Sequence, residues 1–99
     1  MKAKRYEGFP EHYVGFKCPG CKNHHILPTA PNNEGKNWGF NGDFASPTLT
    51  PSILHREFGP GDTVVAVCHS FVRDGQIQFL SDCTHSMAGQ TVPLEELKE

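Results

Sequence analysis

No part of this 99-residue chain is apolar for long enough to cross a membrane. Its longest apolar run, Val64-Val-Ala-Val-Cys68, falls far short of the roughly 18 residues a spanning helix needs. The opening residues, Met1-Lys-Ala-Lys-Arg-Tyr6, contain no apolar stretch that could act as an export signal, which makes a secreted protein a poor reading. Charge of one sign is also missing. Nine basic and eleven acidic residues give a net charge of −2 with six histidines neutral. Proteins that bind phosphate backbones usually carry a basic excess, and here only Lys2-Ala-Lys4-Arg5 and Lys17…Lys22 form small basic islands. A nucleic-acid partner is therefore a poor reading, and so is a membrane. Local catalytic signatures are absent as well: there is no glycine-rich phosphate loop, no nucleophile elbow and no His-Glu-x-x-His helix. Repeats, linkers and composition shifts are lacking too, which predicts one domain over residues 1–99.

What is present favours turns and short strands. Ten glycines and eight prolines punctuate the chain too often for long helices. A chain this short buries only about 60–70% of the surface exposed when unfolded, so its core gives a modest stability margin. Four cysteines, Cys18, Cys21, Cys68 and Cys83, point to a remedy. Reducing compartments keep thiols free, and Cys18-Pro-Gly-Cys21 has the two-residue spacing of a metal half-site.

The second half-site follows from a hairpin. Thr63-Val-Val-Ala-Val-Cys-His-Ser-Phe-Val72 and Ile77-Gln-Phe-Leu80 flank Asp74-Gly75, which suits the two positive-φ positions of a type I′ turn. In that register Arg73 pairs with Gln76, Val72 with Ile77 and Cys68 with Ser81. Side chains alternate faces with period two, so Cys68 and Cys83 share a face as diagonal neighbours about 7 Å apart. His69 lies diagonal to Asp82 on the opposite face. The reading is one zinc ion held by Cys18, Cys21, Cys68 and Cys83. His24, His25, His69 or His85 are alternatives for one of the cysteines, and iron is an alternative to zinc. His12 and His55, in polar and turn-rich surroundings, have no assigned role.

Elsewhere, Tyr13-Val-Gly-Phe-Lys17 reads as a strand leading into the knuckle, with Ile26-Leu27 as a short strand after it. A polar loop is expected over 31–36. Asn41-Gly42, set between Trp38, Phe40 and Phe44, reads as a hairpin turn. Ser46-Pro-Thr-Leu-Thr-Pro-Ser52 reads as an extended or edge segment, because its prolines lack ladder donors. Phe58-Gly-Pro-Gly-Asp62 is a turn, and Pro93-Leu-Glu-Glu-Leu-Lys98 is expected to form one or two helical turns. The fold class is mainly β: hairpins pinned by a zinc knuckle, in the manner of a zinc ribbon.

A string of polar residues, Asn41, Asp43, Ser70, Asp82, Thr84, His85 and Ser86, leaves two functions open. In one, these residues serve turns and hydrogen bonds to thiolates, and the protein is a non-enzymatic binding module. In the other, His69 oriented by Asp82 is a general base, and with His85 and Asp43 it serves a small metal-dependent hydrolase. The linked motifs Cys18-Pro-Gly-Cys21, Trp38-x-Phe-Asn-Gly-Asp43, Ser46-Pro-Thr-x-Thr-Pro-Ser52, Cys68-His-Ser-Phe-Val72 and Asp74-Gly-Gln-Ile-Gln-Phe-Leu-Ser-Asp-Cys-Thr-His85-x-x-Ala-Gly-Gln-Thr-Val92 resemble a family of small proteins of unknown function in tailed bacteriophages and prophages. The resemblance implies a zinc-binding accessory protein acting on a host or phage macromolecule in the bacterial cytoplasm. It implies no reaction.

Overall fold

The computed structural model describes residues 1–29 and 37–97, so the loop expected over 31–36 lies outside the described residues. The protein is mainly β. Strands β1 (Tyr13–Lys17) and β2 (His24–Pro28) form an antiparallel hairpin. Strands β3 (Gly39–Phe40), β4 (Leu49–Phe58), β5 (Val64–Arg73), β6 (Gln76–Phe79) and β7 (Thr91–Pro93) form a second antiparallel sheet in that order.

The β5–β6 hairpin matches its turn chemistry. Asp74 and Gly75 both have positive φ, 51° and 76°, and Arg73 pairs with Gln76 and Val72 with Ile77. Regular pairing stops at Ser70 and Phe79, so the expected pairing of Cys68 with Ser81 does not form. Asn41-Gly42 is not a two-residue turn. Residues 41–48 make a longer connection, organised by Asn41 Oδ1 accepting from the amides of Asp43 and Thr48 (3.1 Å each) and by Asp43 Oδ1 accepting from those of Ala45 and Ser46. Asp43 is thereby committed to its own loop. Ser46–Ser52 is only partly an edge: Leu49 and Thr50 pair with β3 and Leu49 also with β5, while Pro47 precedes β4 and Pro51 falls in the β4–β5 register shift, so neither proline occupies a paired position.

The expected C-terminal helix is absent from residues 93–97. Pro93 ends β7, Leu94 donates to Gly75 C=O at 3.0 Å, and Leu97 donates to Met1 C=O at 2.8 Å. Donors spent on distant carbonyls cannot close helical turns, and a helix this short has no stability without packing.

One buried cluster joins the two sheets: Val14, Phe16 and Leu27 from the first and Cys18 from its connecting loop, with Leu49, Ile53, Cys68, Val72, Ile77 and Phe79 from the second. Alternation decides which residues enter it. Along β5, Cys68, Ser70 and Val72 are buried while His69 and Phe71 lie on the more open face. Burying each large apolar side chain contributes about 1.5–3 kcal/mol.

Replacing Asp74 and Gly75 with valine tests the hairpin. Each left-handed position costs a β-branched residue about 1–2 kcal/mol, and a Cβ on Gly75 would meet Ser46 Oγ at 3.2 Å. The double variant should lose about 2–4 kcal/mol by urea denaturation with an unchanged slope. An unchanged midpoint would refute the turn assignment.

Candidate active site and metal centre

Two sites lie back to back across β5. Because successive residues face opposite ways, Cys68 points into the core and His69 points out.

On the outer face, His69 Nδ1 is 3.0 Å from Asp82 Oδ2 and His69 Nε2 is 3.3 Å from Ser52 Oγ. The neutral imidazole then donates through Nδ1–H to the carboxylate and accepts the Ser52 hydroxyl at Nε2. His69 comes from regular strand, whereas its partners come from irregular points. Ser52 lies where the β4–β5 register shifts between Leu49 and Ile53, and its carbonyl accepts from Trp38 Nε1 at 3.3 Å. Asp82 sits in a turn just past β6. The His69 side chain is about a quarter exposed and that of Asp82 about half, so the constellation is reached by solvent.

On the inner face, the ligand atoms of Cys18, Cys21, His25 and Cys68 all lie within 4.8 Å of one another, close enough to hold a metal ion. Cys18 Sγ is 3.6 Å from Cys68 Sγ, and Cys21 Sγ is 3.3 Å from His25 Nε2. The knuckle is the β1–β2 loop itself, tied by Cys18 N–H to Asn23 C=O and Lys22 N–H to Cys18 C=O, with Lys22 at φ 67°. A Cβ on Gly20 would run into the His85 ring, so the knuckle needs glycine there. A recess of about 240 Å³ lined by Gly20, Cys21, His55, Glu57, Cys68 and His85 opens onto the group.

The titration of the group marks it as a shared site. Hydrogen bonds with Cys18 and Cys68 hold the Cys21 thiol far below its usual range, and those with Cys18 and Cys21 push Cys68 far above it. Burial alone would lower His25, but hydrogen bonds to Cys18 and Cys21 and their negative charge outweigh it and raise the imidazole to about 9. Cation uptake would displace these protons, so binding and proton release are coupled.

Three of the four cysteines expected at the metal are thus brought together. Cys83 stands outside this group, in a second one with Cys68 and His85, and its thiol lies against the His69 backbone. His25 joins the first group and His24 does not. Alternation along β2 buries His25 with Leu27 and leaves His24 exposed beside Tyr6, a choice the sequence leaves open because Ile26 on the His24 face is as apolar as Leu27. His85 packs edge-on against Phe79, its Nδ1 accepting from the Met87 amide, away from His69 and Asp82. Ser52 is the residue that local reading missed, since nothing around it departs from an extended proline-rich segment.

The fold and outer site define a small β protein bearing a serine–histidine–aspartate constellation. A family model described as bacterial ubiquitination-like system serine protease (BubE) matches residues 2–80, and the chain belongs to this family. No curated protein and no solved structure matches it. Membership of a serine protease family overturns the expectation of a non-enzymatic phage accessory binding module. Of the side chains grouped in the metal-dependent hydrolase reading, His69 and Asp82 do meet, the second partner of the imidazole is Ser52, and His85 lies instead against Phe79 and the Met87 amide.

The choice between the adjacent histidines is directly testable. His25→Ala should lose most of its bound divalent metal, while His24→Ala keeps one ion per chain by elemental analysis. The opposite pattern would show that β2 faces the other way.

Proposed function

We propose that this chain is a serine peptidase acting within a bacterial ubiquitination-like system, with Ser52 as nucleophile, His69 as general base and Asp82 as the group that orients it. The observation that carries this reading is one imidazole bonded to a carboxylate at Nδ1 and to a serine hydroxyl at Nε2, in a chain of a serine protease family. A serine hydroxyl is a weak nucleophile until an adjacent base takes its proton. As Ser52 Oγ attacks the substrate carbonyl, its proton passes to His69 Nε2, and Asp82 stabilises the imidazolium. His69 then gives that proton to the departing amine as the carbon–nitrogen bond breaks. Water, deprotonated by His69, releases the acyl group from Ser52. The substrate is a polypeptide component of the ubiquitination-like system.

The inner cluster holds one zinc ion through Cys18, Cys21, His25 and Cys68. Three sulfurs and one imidazole are a closed tetrahedral set, which is structural rather than catalytic. Zinc there takes no part in the reaction. It fastens the β1–β2 knuckle to β5 at the residue before the catalytic histidine. Cysteines gathered as metal ligands rather than joined in disulfides suit a reducing compartment such as the bacterial cytoplasm.

Ser52→Ala should abolish labelling by a fluorophosphonate probe and lower peptide hydrolysis by about 10⁴-fold or more, with fold and metal content unchanged. Asp82→Asn should cost about 10³–10⁴-fold, because the amide favours the wrong tautomer. Labelling that persists in Ser52→Ala would refute the assignment of the nucleophile.

A further inference from the structure

The turn that presents Asp82 breaks the β-ladder at the catalytic histidine. Beyond the Ser70–Phe79 pair, Leu80 N–H still reaches His69 C=O at 2.9 Å. In an antiparallel hydrogen-bonded pair the Leu80 carbonyl would return a bond to His69 N–H. Instead it accepts from Cys83 N–H at 3.2 Å, closing the turn Leu80-Ser-Asp-Cys83. A backbone N–H left without a partner inside a protein is costly. Cys83 Sγ accepts this one at 3.2 Å and lies 3.1 Å from His69 C=O, so a neutral thiol can accept from one group and donate to the other. Pairing resumes at Thr84, whose N–H donates to Val67 C=O at 2.9 Å and whose Oγ1 accepts from Val67 N–H at 3.0 Å.

We propose that Cys83 is a positioning residue for the Ser52–His69–Asp82 site. Its backbone closes the turn that aims Asp82, and its side chain supplies the ladder bond that this turn takes from His69. One buried residue thereby fixes the base and the carboxylate relative to each other. The inference rests on the peptidase reading for its catalytic consequence, but the clamp itself is geometric.

The test uses the full chain loaded with metal, comparing wild type with Cys83→Ser and Cys83→Ala. The readouts are fluorophosphonate inactivation kinetics, hydrogen exchange at the His69 amide, and metal content. Cys83→Ala should keep one ion per chain and an unchanged KI, lose protection at the His69 amide, and inactivate about ten- to a hundredfold more slowly, as small misplacements of catalytic groups do. Cys83→Ser, which keeps a donor and an acceptor, should recover most of the inactivation rate and the protection. Metal loss in Cys83→Ser would overturn the proposal by making Cys83 a ligand, and so would unchanged kinetics and exchange in Cys83→Ala. If Cys83→Ala does not fold, the wild-type and Cys83→Ser exchange rates decide, since the His69 amide must be protected in both. Failure of wild type to label, or labelling that survives Ser52→Ala, would refute the peptidase reading alone, leaving exchange at the His69 amide to judge the clamp.

Discussion

Neighbouring residues of a β-strand cannot point the same way, and the organisation of this protein follows from that constraint on β5. Cys68 reaches inward to Cys18, Cys21 and His25, and His69 reaches outward to Ser52 and Asp82. A register slip of one residue would exchange the two faces and destroy both sites together. The inner cluster and the outer site therefore share one strand. The cluster brings the β1–β2 knuckle against Cys68, on the back of the strand from whose other face His69 projects. In a chain of 99 residues with a modest core, a bound ion at that point would couple folding to the geometry of the outer face.

Side chains on a regular sheet stand nearly parallel, roughly 5 Å apart across strands. A base flanked by a hydroxyl and a carboxylate at hydrogen-bonding distance needs its neighbours to lean toward it. The departures from regularity fall where this requires them. Ser52 lies at the β4 register shift, and Asp82 lies in the turn that replaces the end of the β5–β6 ladder. His69, the central member, is paired regularly with Leu54 of β4 and stands where the β5–β6 ladder ends. The backbone bonds disturbed by these irregularities are supplied by side chains, with Trp38 at the Ser52 carbonyl and Cys83 at His69.

The family match spans residues 2–80. It therefore includes the whole inner cluster together with Ser52 and His69, while Asp82 lies two residues beyond its end. The carboxylate is nevertheless the best defined partner of the imidazole, at 3.0 Å. Both sequence readings missed Ser52 for the same reason. The binding-module reading treated the polar residues around the thiolates as supporting hydrogen bonds, and the hydrolase alternative grouped His69 and Asp82 with His85. Both were drawn around the cysteines, whereas the serine that completes the outer site comes from a strand on which no cysteine lies.

Much of the architecture was legible in the sequence because it rests on short-range rules. Cys18-Pro-Gly-Cys21 announces a chelating turn, Asp74-Gly75 fixes the β5–β6 register through left-handed backbone, and period-two alternation then separates Cys68 from His69 and brings His69 near Asp82. Alternation along β2 also separates His25 from His24, though with Leu27 on one face and Ile26 on the other it does not say which face is buried. Tertiary structure alone decided that the fourth member of the inner cluster is His25 while Cys83 turns to the His69 backbone, because continuing the ideal ladder to Ser81 hides the turn over Leu80–Cys83. It alone decided the place of Ser52 too. Seventeen residues separate Ser52 from His69, and their meeting depends on β4–β5 pairing and on a register shift that no local pattern of side chains encodes.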